Sequence, residues 1–293
     1  MNKSMTYGLV SVLAWATMAA ATKTLVASLP NMEVLAVSAG MAFVFLLALN
    51  GVTGRLKKIK EYRPRQLAAM AGLGFLGVFL QSALYYYGLG QLTSQEACIL
   101  NYLWPIMLVV FSCILLKEKL TPVKAAAMLC SFAGIVVLSA GGGGARGGNA
   151  AAGMVCCVVG AACYGLFSVL NKKADYDQNI CMMVMWLTVS VLAAMLGLFT
   201  ESWVPIRPAQ LPGLLWLGVV IDAVTYLLWA LALKEAKDTA KIANMAFLTP
   251  FLSLVISAVF LKETLRPQAF LALVLIVGGI LLQSLWEGRK QTP

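Results

Sequence analysis

The chain contains no histidine in its 293 residues. That excludes His-ligated zinc or iron sites, Ser-His-Asp triads and His proton relays in one step. Charge is scarce too. Asp, Glu, Lys and Arg make up 12%, where a soluble domain of this size carries about a quarter, so lipid rather than water must face most of the surface. The seven cysteines (Cys98, Cys113, Cys130, Cys156, Cys157, Cys163, Cys181) include no C-x-x-C pair and lie within or at the edge of apolar runs. Such cysteines behave as small apolar residues and indicate neither a disulfide framework nor a cluster. No metal or other cofactor is expected, and no stretch between the apolar runs is long enough for a separate soluble domain.

What is present is apolar sequence: 61% hydrophobic residues and a mean hydropathy of +0.85. Runs long enough to cross a bilayer recur at 5–28, 31–52, 67–90, 94–116, 123–141, 151–172, 179–200, 212–233, 239–261 and 268–287. The first could pass for a signal peptide, but it has an internal counterpart at 151–172. The net charge of +10 would suggest nucleic acid in a soluble protein. Here seventeen Lys and Arg fall on one side of the alternating connections and four on the other (Arg146, Arg207, Lys262, Arg266), with Lys23 inside a span. This asymmetry places both termini in the cytoplasm and accounts for the charge without nucleic acid. The expected fold is an all-α membrane protein of ten transmembrane helices.

The second half repeats the first. With Pro105 over Pro250, L-K-E-K-L-T-P from Leu116 aligns with L-K-E-T-L-R-P from Leu261, and Gly134 falls on Gly279. Ala14-Trp15-Ala16 with Lys23 resembles Cys163-Tyr164-Gly165 with Lys172 at a slightly different offset. Five spans per half, an odd number, makes the second half enter the membrane from the opposite side. Inverted halves of this kind suit alternating access. The expected organisation is a first repeat over 1–141, a Gly-rich linker over 142–150 and a second repeat over 151–293. The linker segment GGGGARGGN has no G-K-[ST] and no preceding strand, so it reads as a hinge between halves and not as a phosphate loop.

Ten spans, W-A in the first, N-Y-L-W-P (Asn101 to Pro105) in the fourth and K-E-x-L-x-P after the fourth and ninth resemble the EamA type of the drug/metabolite transporter superfamily, over essentially the whole chain. N-Y-L-W-P is narrower and is similar to the bacterial aromatic amino-acid exporter branch. The resemblance implies a multi-pass protein of the bacterial inner membrane that exports amino acids or other metabolites. It also implies a central cavity lined mainly by helices 1, 3, 4, 6, 8 and 9, with helices 5 and 10 peripheral.

Candidate site residues follow from polarity inside the apolar runs. Asp222, near the middle of the eighth span, is costly there unless it faces a wet cavity or a partner. Tyr226 and Trp229 follow at i+4 and i+7 on the same face, so Asp222 is expected to overlook the pocket as a proton carrier or as counter-ion to a substrate amine. A structural hydrogen bond to a neighbouring helix is the competing reading. Lys23 is a second counter-ion candidate against simple snorkelling to the interface. Trp15 with Thr22, and Tyr164, Ser168 and Asn171, form polar or aromatic stripes. Gly74, Gly77, Gln81, Tyr85 and Gly88 form another, for which close helix packing competes with a site role. Asn101 lies four residues before Pro105, beside the carbonyl that the proline frees. Trp104 offers a ring face, and Asn244 stands near Pro250, so Pro105 and Pro250 read as paired hinges. The Lys117/Glu118 and Lys262/Glu263 pairs read as interface anchors.

The leading expectation is a secondary exporter of small metabolites, amino acids above all (aromatic or neutral), with a small-molecule substrate and the bilayer as its partners, acting as monomer or homodimer. An amine or drug exporter using Asp222 is the alternative. A nucleotide-sugar carrier lacks the intramembrane Arg or Lys cluster that phosphates need. A lipid-modifying enzyme needs a nucleophile with a base, or paired carboxylates, and only one carboxylate lies deep in an apolar run.

Overall fold

A computed structural model describes residues 3–92, 97, 100–139, 148–261, 271–272 and 274–282, excepting the side chains of residues 19, 23, 89, 138, 139, 254 and 257–261. All regular structure among the described residues is helical. In lipid an apolar run must satisfy its backbone internally, which leaves the helix as the local solution. Helix starts are marked in the sequence: Asn149, Asp177 and Asp238 side chains accept backbone N–H groups at the heads of their helices, and Pro64 and Pro122 occupy first-turn positions where their missing N–H costs nothing.

In chain order the elements are α1 (Lys3–Val26), α2 (Asn31–Val52), a short 3-10 turn (Arg55–Glu61) and α3, which is α-helical over Pro64–Gly74, π-helical over Phe75–Leu80 and α-helical again over Gln81–Gln91. Next come α4 (Trp104–Leu115), α5 (Pro122–Ser139), α6 (Ala150–Lys173) and α7 (Gln178–Thr200). α8 repeats the plan of α3 through Leu211–Leu215, a π-helical Trp216–Thr225 and Tyr226–Glu235. α9 comprises Thr239–Met245 and Leu248–Leu261, and α10 covers 271–272 and 274–282. Among the described residues, six helical runs are long and apolar enough to cross a membrane: α1, α2, α3, α6, α7 and α8.

Two of the expected continuous spans are broken. The backbone leaves the helix at Tyr102–Leu103 and at Ala246–Phe247. Pro105 and Pro250 cannot donate to the carbonyls of residues 101 and 246; the Ala246 carbonyl accepts from Thr249 N instead, in a tighter turn at 3.1 Å. The N-terminal part of α4, the linker over 141–147 and the Lys262/Glu263 pair lie wholly or partly outside the described residues. The end of the expected linker is fixed: Asn149 caps α6 through Ala152 N, and its own N–H donates to Gln91 Oε1 at 3.0 Å.

Polar ties sort the connections onto two faces. Lys58 in the α2–α3 connection pairs with Asp177 before α7 at 2.7 Å, and Lys124 at the start of α5 pairs with Asp238 before α9. On the opposite face, Glu201 after α7 accepts from Met32 N at 2.9 Å, Glu33 accepts from Val204 N at 3.1 Å, and Gln210 donates to Ser28 Oγ at 2.7 Å. Among the described residues the α2–α3, α4–α5, α6–α7 and α8–α9 connections therefore lie on one face and the α1–α2 and α7–α8 connections on the other.

Two antiparallel pairs join equivalent helices of the halves. Along α2 and α7, Asn50 meets Asn179 and Ser190 meets Ala36. A Cβ on Gly197 would stand 2.9 Å from that of Met32. Along α5 and α10, a Cβ on Gly134 would stand 2.9 Å from the Ala272 carbonyl, and one on Gly279 would stand 2.5 Å from the Ala127 carbonyl. Ala127 and Gly134 are the repeat equivalents of Ala272 and Gly279, so each contact is returned by its counterpart. That reciprocity is the mark of a two-fold relation. Glycine serves here because two helix backbones meet.

The Lys58–Asp177 tie yields a pH prediction. Partial burial alone would raise the Asp177 carboxyl, but the Lys58 ammonium and the Asn179 and Ile180 N–H groups together hold it below the usual carboxylate range. A depressed folded-state pKa contributes stability that is complete above the unfolded value, near pH 3.9, and is lost as pH falls through the folded value. Melting curves of wild type and Asp177→Asn should differ by a constant amount above about pH 5 and converge below about pH 4. A difference that persists unchanged into acid would remove the ionic contribution.

Candidate functional site

The centre of the bundle is aromatic. Trp15 of α1 lies with ring centroids 6.3 Å from Trp104, 5.5 Å from Tyr226 and 5.0 Å from Trp229. Trp104, at the head of α4, stands 4.9 Å from Tyr164 of α6 and 5.6 Å from Trp229 of α8. Trp186 of α7 closes the group at 5.0 Å from Tyr226. Most of these pairs are edge-to-face, the arrangement that ring quadrupoles favour, worth about 0.5–1.5 kcal/mol each beyond burial. Five helices are thus pinned to one another through six rings.

A narrow cleft of about 10 Å³, room for about one water in this conformation, runs from this cluster along α6 and α8, lined by Tyr164, Phe167, Ser168, Asn171, Met182, Tyr226, Trp229, Ala230 and Leu233. Of the residues singled out in the sequence, Trp15, Trp104, Tyr164 and Tyr226 meet in the cluster, while Tyr164, Ser168 and Tyr226 line the cleft. Trp229, marked only as a facemate of Asp222, belongs to both. Its indole N–H and that of Trp186 are buried, the residues being 2% and 1% exposed, with no protein partner. Trp186 was missed because α7 reads as an apolar helix without a polar stripe.

Asp222 is 6% exposed and its carboxyl faces Ser38 of α2, whose hydroxyl donates to the Leu35 carbonyl at 3.4 Å; it is not among the residues lining the cleft. The spacing argument assumed α-helical winding. The segment Trp216–Thr225 is π-helical, a wider winding than that argument assumed. The surplus backbone groups of that segment find partners: Thr225 Oγ1 donates to the Val220 carbonyl at 2.7 Å, and Ser11 of α1 donates to the Thr225 carbonyl at 3.2 Å.

The α3 stripe divides. Gly74, Gly77 and Gly88 serve packing, against the Met185 backbone of α7, the Phe167 ring and Cys157 of α6 respectively. Gln81 instead donates to Asn101 Oδ1 at 3.2 Å, joining two of the candidate polar residues; Tyr85 lies one turn further along α3, half-buried. Asn171 bonds Gln178 Oε1 at 2.9 Å. Asn244 is buried in α9. The Lys23 side chain lies outside those described. Glu118, read above as an interface anchor, has partners within the bundle. Its carboxylate is held by the Lys172 ammonium at 2.8 Å and by the Thr239 N–H and hydroxyl at 3.0 and 2.6 Å.

Comparison with known proteins agrees with this architecture. The profile of the EamA-like transporter family matches residues 2–140 and 151–285. The chain is 27% identical to the uncharacterized transporter YvbV of Bacillus subtilis over 77% of its own length and 73% of that protein's. It is 25% identical to the aromatic amino acid exporter YddG of Ancylobacter novellus, over 96% of this chain and 97% of that one. A solved crystal structure superposes with a TM-score of 0.87 at 23% identity, covering 99% of both chains, a likeness of fold.

Proposed function

The chain belongs to the EamA-like transporter family, and from that premise we propose that it is a secondary transporter exporting small metabolites, aromatic and neutral amino acids first, across a bacterial inner membrane. The observation that carries the substrate class is the convergence of Trp15, Trp104, Tyr164, Trp186, Tyr226 and Trp229 from five helices beside the cleft. An apolar pocket with few polar groups is what a small amphipathic ligand requires. Ring faces stack on an aromatic side chain, and the unpartnered Trp229 N–H is a donor available to a carboxylate. The substrate-facing set is Trp15, Gln81, Tyr85, Asn101, Trp104, Tyr164, Ser168, Tyr226 and Asn244, with Asp222 as coupling or counter-ion residue behind it. The relative that carries the name of aromatic amino acid exporter spans nearly the whole chain and supports the same class.

The mechanism is alternating access between two inverted repeats, 1–141 and 151–293, giving ten spans with both termini cytoplasmic. Two features support it: the reciprocal antiparallel contacts of α2 with α7 and α5 with α10, and the alternation of connections between faces. The two paired elements form the axis; the remaining helices exchange conformations about it, with the breaks before Pro105 and Pro250 as hinges.

Proteoliposomes loaded with radiolabelled tryptophan, phenylalanine, leucine, lysine and a quaternary ammonium ion test the reading. Efflux should be at least tenfold above empty vesicles for tryptophan and phenylalanine. A second reading, amine export, is favoured by the buried Asp222 carboxyl beside Tyr226. Flux of the quaternary ammonium ion with none of the amino acids would replace the first reading by the second.

A further inference from the structure

The cleft that begins at the aromatic cluster ends at Asn171 and Leu233, and the next residue of each helix is a lysine committed to a partner across the bundle. Lys172 Nζ meets Glu118 at 2.8 Å, the Thr239 hydroxyl at 2.6 Å and the Ala236 carbonyl at 3.1 Å. Lys234 Nζ donates to the Tyr176 and Ala174 carbonyls at 2.9 and 3.3 Å. Glu118 comes from the α4–α5 connection, Lys172 from the end of α6 and Thr239 from the start of α9, so three elements meet over the end of the cleft, with the Lys124–Asp238 pair and the Lys234 bonds beside them.

We propose that the Glu118–Lys172–Thr239 triad is the gate of the transport pathway at this face, closed in the present conformation and opened in each cycle. The inference rests on the transporter reading of the cleft. Chemistry favours a gate over a permanent brace. Glu118 accepts three hydrogen bonds and Lys172 donates three, yet the side chains of Lys172 and Glu118 retain 11% and 21% exposure. At that exposure water can replace each partner, so separating the charges costs far less than for a fully buried pair, where desolvation penalises every unpaired charge. Geometry agrees. α4 and α9 are the two helices interrupted by breaks, and the Glu118 and Thr239 ends of the triad hang from them, so a bend at either break carries its end of the triad away from Lys172. The repeat carries related residues, a lysine, a hydroxyl and a glutamate, at Lys23, Ser94 and Glu263, the lysine at a slightly different offset.

Coupling the gate shut tests this. A membrane-permeant carbodiimide condenses the Glu118 carboxylate with the Lys172 amine to an amide, the lost oxygen leaving as the urea; a linked peptide identifies the product by mass. Lys172→Arg keeps the ion pair but offers no primary amine, so it controls for reaction at other carboxylates, Asp222 included. In the coupled full-length protein, hydrogen exchange over 164–172 and 226–233 should slow at least tenfold relative to treated Lys172→Arg, and tryptophan efflux should fall at least tenfold. Unchanged exchange in the coupled protein overturns the gate, because a static brace is indifferent to being made covalent. Slowed exchange in a protein that moves no tryptophan even before coupling leaves the gate standing and refutes the substrate class instead.

Discussion

Gly218→Val should give no folded, monodisperse protein. A Cβ at Gly218 would stand 2.6 Å from the Ser38 carbonyl and 2.7 Å from the Met41 Cβ of α2. Backbone cannot swing aside as a side-chain tip can, so α8 must retreat from α2. That retreat draws Asp222 from Ser38 and Tyr226 from Trp186, since both contacts hang on the same α8 segment. The repeat supplies an internal check: a Cβ at Gly74 would stand 2.8 Å from the Met185 carbonyl and 2.9 Å from its Cα in α7. Gly74→Val should therefore fail in the same way. Overpacking costs about 1–3 kcal/mol where the surroundings can yield, and at these sites they cannot. Even Gly218→Ala should lower the melting temperature by several degrees. Gly72→Ala, where no atom stands within 4 Å of the added Cβ, should hold or gain about 0.5–1 kcal/mol from helix propensity. Size-exclusion profiles and thermal unfolding in detergent decide. A Gly218→Ala protein with wild-type melting would mean that α2 and α8 do not approach as closely as described.

That pairing of Gly74 with Gly218 was present in the sequence and went unseen. The aligned segments around Pro105 and Pro250 share an offset of 145 residues, and the same offset was not pressed further upstream. At 144 residues, Arg63-Pro64-Arg65-Gln66 falls on Arg207-Pro208-Ala209-Gln210. In both, the Gln side chain accepts the N–H of the Arg three residues before, at 2.8 and 2.7 Å. The motif opens α3 and α8 identically and sets Gly74 over Gly218. Helices themselves were legible because runs of about twenty apolar residues have few other ways to satisfy their backbones in lipid. Their internal winding was not. No proline or glycine marks the interior of Trp216–Thr225 except Gly218, so an α-helical period was the only basis for placing Asp222, and nothing in it announced the π winding. Side chains whose partners are remote in sequence were likewise hidden. Glu118 meets residues 54 and 121 positions away, and no periodicity carries that information. The aromatic cluster was mostly readable, because rings interrupting small-residue stripes stand out; Trp186, among other large side chains, did not.

Asp222→Asn should separate coupling from folding, with the second largest effect. The asparagine amide oxygen can still accept from Ser38 and its volume is nearly that of the carboxyl, so a melting temperature within a few degrees of wild type is expected. What the substitution removes is the capacity to take up and release a proton, or to pair with a cation. If Asp222 couples transport, accumulation driven by a pH gradient should fall at least tenfold, about 1.4 kcal/mol of driving interaction, while exchange of internal for external tryptophan stays within about twofold. Exchange survives because it needs the gates and the aromatic site but no net proton movement. A protein that melts tens of degrees lower would show the carboxyl to be structural. Loss of gradient-driven and exchange flux together, at full stability, would place Asp222 in substrate binding despite its position off the cleft. The π-helical segment makes the coupling outcome the physically coherent one. A wide turn in which Thr225 Oγ1 bonds the Val220 carbonyl and Ser11 of α1 bonds the Thr225 carbonyl departs from the α-helical ladder, and such segments recur at functional sites. A change of winding in that segment would turn Asp222 relative to Tyr226 and Trp229, the movement through which its charge would be coupled to the cleft.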